Sequence, residues 1–302
     1  QLGRFRKALG EEGVEELLAR TMEVAVTLKL IAKKELTRVI VDSTVQEKAV
    51  AHPTDSKLLE TARSKVVEEA KAHGIELKQT YAKEGQLLGY KAGRYAHARQ
   101  FKRMRKAIKR QATIVGRLHR EIARKMTTLS QAVQDALGVS IDKAKRLIAQ
   151  SRSKKAQDKQ PKLYSWHAPE VECISKGKSR NPYQFGVKVG IATTLQGTLI
   201  VGARAFPGNP YDGHTLSEQV EQASILMQAL DTKPHKAIVD LGYRGVDKAN
   251  PDIDIKHRGK FKSLTDEDKK DLKRRQAIEP IIGHLKADHR MNRCPRVRHQ
   301  AS

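Results

Sequence analysis

A chain of 302 residues with 59 Lys and Arg against 34 Asp and Glu carries a formal net charge of +25 and a pI near 10.1. Such an excess is explained most simply by a polyanionic partner, nucleic acid first and an anionic membrane surface second. No segment approaches the ~20 apolar residues that span a bilayer, and the N-terminus "QLGRFRKALGEEG" lacks the apolar core of a signal peptide.

With only Cys173 and Cys294, a disulfide framework is excluded and a reducing, cytoplasmic compartment is expected. Apolar residues make up 38% and aromatics 4%, so the core is expected to be thin and helix-rich. The first residue is not Met, which points to a start inside a longer reading frame.

Residues 1–32 read as short helices, with Val14, Leu17, Leu18, Met22 and Val26 at helical spacing. "ELTRVIVDSTVQ", residues 36–47, is β-branched and reads as the first strand. Pro53 and Asp55 stop the chain and cap a helix with a stripe of Leu58, Leu59, Ala62, Val66 and Ala70, which Gly74 ends. From about 75 to 160 the pattern is helical and polar. Segment 91–125 holds 13 Lys and Arg against one Glu. Its apolar residues, among them Phe101, Met104, Ile108, Ile114, Val115, Leu118 and Ile122, recur every three or four, so one face packs and the other presents cations. Lys102, Arg103, Arg105, Lys106, Lys109 and Arg110 are the candidate phosphate contacts there, and residues 151–162 read as a solvated linker.

Beyond the linker, "EVECIS", "YQFGVKVGIATT" and "GTLIVGARAF" read as three strands separated by turn signals. A helix over "HTLSEQVEQASILMQAL" follows, with Thr215 and Glu218 as its capping box. "KAIVD" is a further strand, 251–265 a basic turn-rich segment, and "DEDKKDLKRRQAIEPIIGHLKADHR" a final helix. Three strands in a row followed by alternating helix and strand predict a mixed α/β sheet with helices on its faces.

Two strands, "RVIVD" and "KAIVD", each run from a basic residue through an apolar stretch to a lone acid, Asp42 and Asp240. Ligand sites in mixed sheets gather at strand ends, especially where strands diverge. Two carboxylates converging there repel unless a cation neutralises them. A hard divalent ion such as Mg²⁺ takes a few such oxygens and completes its shell with waters and phosphates. Two ions about 3.5–4 Å apart can activate water and stabilise a leaving phosphodiester oxygen. Glu279 in the final helix is the natural third ligand. Taken singly, each acid reads as a turn former, a helix cap or the partner of a nearby cation, and sequence physics leaves both readings standing.

The stretches "VDSTVQEKAVAHPTDSKLL", "LYSWHAPEVECISKGKSRNPYQFGVKVGIAT", "GNPYDGHTL", "DLGYRG" and "RRQAIEPIIGHLKADHRM" together resemble DDE transposases of bacterial insertion sequences, specifically the insertion-sequence-five group. The resemblance covers nearly all of residues 1–294. It implies an RNase H-like core over 36–55 and 163–294, interrupted by a basic helical insertion over 56–162. It also implies a DNA-binding remnant over 1–35 and an atypical tail over 295–302. Asp42, Asp240 and Glu279 would hold two Mg²⁺ or Mn²⁺ ions. The implied reaction is cleavage at element ends, followed by attack of the freed 3′-OH on target DNA, with a homodimer pairing two ends.

The last helix is similar to a pattern Tyr-x2-Arg-x3-Glu-x6-Lys: Arg275, Glu279 and Lys286 match, and Leu272 stands at the Tyr position. With Arg290 a turn further on, Arg275 and Lys286 are expected on adjoining helix faces as phosphate contacts. After Cys294 the chain reads "PRVRHQAS" in place of the apolar helix expected of the family, which points to a shifted frame or early end.

Two other classes remain open: a catalytically impaired remnant that only binds DNA, and an RNase H-like nuclease that cleaves without joining. His284, His289 and Cys294 do not have the spacing of a familiar zinc site. No Walker-type phosphate loop is present, so no nucleotide cofactor is expected. His97, Tyr95, Phe101, Trp166 and His214 are each readable as packing or as a DNA contact.

Overall fold

The computed structural model describes residues 2–153, 162–175 and 182–294. Its contacts divide into two compact units, residues 1–49 with 173–302, and residues 50–172.

The first unit is built on a seven-stranded mixed sheet. Its strands are β1 (Arg38–Lys48), β2 (Glu172–Ser175), β3 (Tyr183–Thr194), β4 (Ile200–Phe206), β5 (Lys236–Ile238), β6 (Asp254–Lys256) and β7 (Arg293–Cys294). The order is β2-β3-β1-β5-β6, with β4 also on β3 and β7 also on β1. β1 pairs antiparallel with β3 from Val39↔Thr194 to Glu47↔Gly186, and parallel with β5 from Arg38↔Lys236 to Ile40↔Ile238.

Side chains alternate across the strands, and the alternation divides the core in two. Val39, Val41, Ala237, Val239 and Ile255 pack with Met22 of α1 (Leu2–Thr27) and with Leu216, Val220 and Ala223 of α6 (Leu216–Leu226). Ile40, Ile191 and Ile238 face the other way and pack with Leu272 of α7 (Asp266–Arg274) and Ile278 of α8 (Ile278–Ala287). Burial on both faces explains the continuous apolar runs of β1 and β5. Each such side chain contributes about 1.5–3 kcal/mol of transfer free energy.

The second unit holds four helices: α2 (Asp55–Ala72), α3 (Ala82–His97), α4 (Phe101–Lys125) and α5 (Gln131–Arg152). The expected α2 stripe is buried against Ile114, Val115, Leu118 and Ile122 of α4 and Leu137, Ile141, Ala144 and Leu147 of α5. Trp166 joins this core at 7% exposure, so packing accounts for it. The stripe on α4 is deep only in its C-terminal half. Phe101 is half exposed, Met104 and Ile108 are partly covered, and Lys102, Arg103, Arg105, Lys106 and Lys109 all face solvent.

Several local expectations change. The α2 N-cap is Thr54, whose hydroxyl accepts from Lys57 N, while Asp55 is the first helical residue. Thr215 makes no capping box with Glu218. It lies in helical φ/ψ at the end of a 3₁₀ turn, and its hydroxyl donates to Asp212 O at 2.7 Å. Asp42 does not end a strand: β1 runs on to Lys48 because its antiparallel pairing with β3 continues past the point where β5 stops.

The final helix is broken. α7 gives way to a 3₁₀ turn over Arg275–Ala277 before α8 begins. Pro280 supplies the reason, since it lacks an N–H and its ring crowds the carbonyl four residues back. α8 stops at Ala287. The chain then passes through Arg290 in left-handed backbone (φ 61), and Met291 N–H returns to Leu285 O at 2.9 Å. Arg290 is therefore exposed beyond the helix and not on its face. Met22 and Ile31 lie in the core of the first unit, with Leu18, Ala19, Ala25 and Val26 packed against it, whereas Val14 and Leu17 of the expected stripe are exposed. The tail 295–302 and most of the linker lie outside the described residues.

Gly186 is tightly constrained. A Cβ there would press on the Gln46 carbonyl, with the Gln46 carbon and Glu47 Cα each at 2.8 Å. Gly186→Ala should cost about 1–3 kcal/mol, because backbone and not a flexible side chain must yield. The loss should register as faster amide exchange in β1 and β3 while Trp166 fluorescence, which reports the other unit, stays unchanged.

Candidate active site

The pairing of β1 with β5 ends at Ile40↔Ile238, and Asp42 and Asp240 each stand two residues further on. Two residues restore the same face of the sheet. Asp42 is thereby aimed to the side that carries α7 and α8, and Asp240 stands at the matching level where β5 has left the edge of β1.

Asp42 is half buried, its side chain 20% exposed. Its Oδ1 accepts from Ser43 N at 2.8 Å, and its Oδ2 lies 3.5 Å from Arg275 Nη1. Arg275 also reaches Glu279 Oε1 at 4.0 Å, so one guanidinium lies between two of the three expected acids. The 3₁₀ turn that precedes Pro280 sets Arg275 and Glu279 on this side of the sheet. Asp240 Oδ1 accepts from Gly242 N at 2.7 Å and caps the short turn Leu241–Tyr243. The turn-forming role that its sequence context allows is thus realised, alongside its place beside Asp42.

A fourth acid belongs to the cluster. Asp212 Oδ1 accepts from Ser43 Oγ at 2.9 Å and from Lys188 Nζ at 3.0 Å. Its other oxygen approaches Gly242: a Cβ there would meet Asp240 Oδ1 at 2.9 Å and Asp212 Oδ2 at 3.1 Å, so glycine is what lets the two acids close on this turn. Lys188 is buried and already neutralises Asp212, which makes that acid a brace for the turn more than a vacant ligand. "GNPYDGHTL" held this residue in plain view, but an Asp-Gly pair in a turn-rich stretch reads as turn chemistry.

Tyr243 registers the accumulated negative field. Burial, then Asp212, Asp42 and Asp240, push its hydroxyl well above the ordinary value. It stays a neutral phenol at any working pH. His257, just beyond β6, accepts from Gly259 N at 3.0 Å through Nδ1. Burial first, with Lys260 and Arg244, holds it below its usual pKa despite Asp247 and Asp240, so its ring is neutral at pH 7. No sequence signal set His257 apart from its basic neighbours.

The donors suit a hard divalent ion, since all are carboxylate oxygens. Among the described residues, no three His, Cys, Asp or Glu side chains stand close enough to hold one. Glu279, 66% exposed, lies 4.0 Å from Arg275 Nη2. Lys286 is half-buried on α8, and Leu272 is core. In the other unit Arg110 pairs with Glu84 at 2.7 Å, and Arg103 is bonded to Gln100. No described helix is long and apolar enough to cross a membrane.

No family model and no solved structure matches the chain. A Rhizobium meliloti protein, "Uncharacterized protein ORF8 in nfe locus", is 48% identical over 97 residues, which is 32% of this chain and 47% of that protein. The chain thus spans about half the length of that relative, and the relative's name carries no activity.

Proposed function

We propose that the chain is a DDE-type transposase with an RNase H-like core, acting on double-stranded DNA in the bacterial cytoplasm. The observation that carries this reading is the equal placement of Asp42 and Asp240 beyond the last paired residues of two parallel strands, with Arg275 set between Asp42 and Glu279. Asp42, Asp240 and Glu279 are the residues that would hold two Mg²⁺ or Mn²⁺ ions. Such ions supply a water nucleophile at neutral pH and charge stabilisation on the transferring phosphoryl group.

The chain's own contribution is positional. Asp42 is held by its neighbour's amide and Asp240 by Gly242, so neither carboxylate swings freely. Arg275 sets a positive charge between Asp42 and Glu279, and with those acids on ions it would be free to meet a phosphate. Glu279, exposed on the first turn of α8, is the residue that would complete the ligand set. Lys102, Arg105, Lys106 and Lys109 meet the DNA backbone, with Lys286 and Arg290 as further phosphate contacts, and two copies join two ends.

The test is direct. Purified protein is incubated with Mn²⁺ and a duplex carrying the sequences that flank its gene. Cleavage with joining supports transposition, and cleavage without joining supports a nuclease. Binding with neither reaction would leave a DNA-binding remnant and sink the catalytic reading. Binding itself should weaken steeply with salt, the logarithm of affinity falling by about 0.9 per phosphate contact for each unit of log salt. A flat response in a salt titration would remove the phosphate contacts assigned to α4.

A further inference from the structure

Between α3 and α4 lies an open hollow of about 450 Å³, within the size range of small-ligand sites. α3 lines it with Leu88, Lys91 and Tyr95, and α4 with Arg103, Lys106 and Arg110. Residues three, four and seven apart share one helix face, so the two triplets oppose each other along the trough. Arg103 and Arg110 are seven residues apart, about 10 Å along the axis. Arg110 is fixed by Glu84, which accepts from its Nε at 2.7 Å and its Nη2 at 3.1 Å, yet its side chain remains 39% exposed. Glu84 takes its Nε and Nη2, so Arg110 offers a phosphate chiefly Nη1, from a fixed position, and the charge of the hollow rests mainly on Lys91, Arg103 and Lys106. No acid is among the lining residues described.

One wall differs in kind. Tyr95 is half buried and, with Leu88, gives the hollow an aromatic and apolar patch beneath its cations. A second hollow, of about 650 Å³, lies where α4 meets the end of α5, with Arg105, Lys109 and Arg152. It contains Asp55 and no aromatic ring, so it offers phosphate contacts alone. In a duplex the faces of a base are covered by its neighbours. A pocket with cations at the rim and a tyrosine inside matches a nucleotide whose base is free of the stack.

The geometry points to the α3–α4 hollow as a subsite for an unpaired nucleotide, its phosphate held by Lys91, Arg103, Lys106 and Arg110 and its base laid against Tyr95. The inference rests on the reading that this chain works on DNA, and it adds that the helical unit grips single strands.

The full-length protein is titrated with a fluorescein-labelled oligothymidylate and with a duplex of equal length at one fixed salt concentration. Tyr95→Ala should weaken single-strand binding about tenfold or more, leave duplex binding unchanged, and be rescued by Tyr95→Phe. Lys106→Ala should weaken both. Trp166 fluorescence during urea unfolding checks that the helical unit remains folded in each variant. Equal losses on both DNAs for Tyr95→Ala, or no loss on either, would overturn the subsite while leaving duplex recognition intact. Absence of binding to any DNA by the wild type would overturn both this subsite and the function from which it follows.

Discussion

On the proposed transposase reading, Asp240→Asn should lower end cleavage and joining by about 10³-fold or more, and Asp42→Asn should do the same, because removal of one member of a unit that acts together disables the unit. The substitution is nearly isosteric. An Asn at position 240 still presents an oxygen to Gly242 N–H, now 2.7 Å from Asp240 Oδ1, so the turn survives while the charge is lost. DNA affinity should hold within about twofold or rise slightly, since each change deletes a negative charge from a cationic surface. Two measurements separate chemistry from folding: cleavage rate in Mn²⁺, and free Mn²⁺ followed by electron paramagnetic resonance. Full activity in both variants would take these carboxylates out of the reaction.

Asp268→Asn carries the largest expected cost to stability, about 3 kcal/mol. Asp268 is 2% exposed on α7. Its carboxylate meets Lys236 at 3.0 Å and Lys256 at 3.1 Å and accepts from Thr265 N at 3.1 Å. Burial alone would raise its pKa. The lysines and the Thr265 amide outweigh burial and hold the group well below the ordinary carboxylate range. A depressed folded value means that its stabilisation is complete above the unfolded pKa, about 3.9, and drains away as pH falls below that. Wild type should therefore lose stability on acidification below about pH 4 more steeply than Asp268→Asn.

Asp271, one turn along, works in the opposite sense. Burial raises it, and its two cations, Arg38 and Lys236, stay at 3.7 Å. Asp271→Asn should cost far less. The readout is amide exchange in β5 and β6, because the single tryptophan reports the helical unit.

This network gives the basic residue at the head of each strand a use. Arg38 and Lys236 anchor the helix that leads to Arg275 and Glu279. The sequence displayed both basic residues and both acids, and β3 was legible to its last residue because its turns are marked on both sides. β6 was not, since "DIK" offers one apolar side chain to a parallel neighbour. The β-branched run over 36–47 already carried the strand past Asp42, but its apolar stretch ends there, and the continuation to Lys48 is held by pairing with β3, which lies far along the chain. The break at Pro280 was readable from chemistry, yet the apolar spacing on either side suggested continuity. Asp212 joins the cluster through Ser43 and Lys188, contacts that only the folded sheet creates.

The interruption of the sheet unit by the helical unit also fixes an order of assembly. β1 is synthesised first and must wait for β3, its antiparallel partner over nine residue pairs, until all of residues 50–172 have emerged. The helices between find all their core partners within residues 50–172 and can form before β3 is made, whereas pairing across that interval must wait. Nascent β1 thus spends its early life as an unpaired apolar edge, the kind of segment most exposed to aggregation and to chaperones. A ribosome stalled so that residues up to 172 have left the exit tunnel while β3 is still inside it should display a folded helical unit preceded by a protease-sensitive β1.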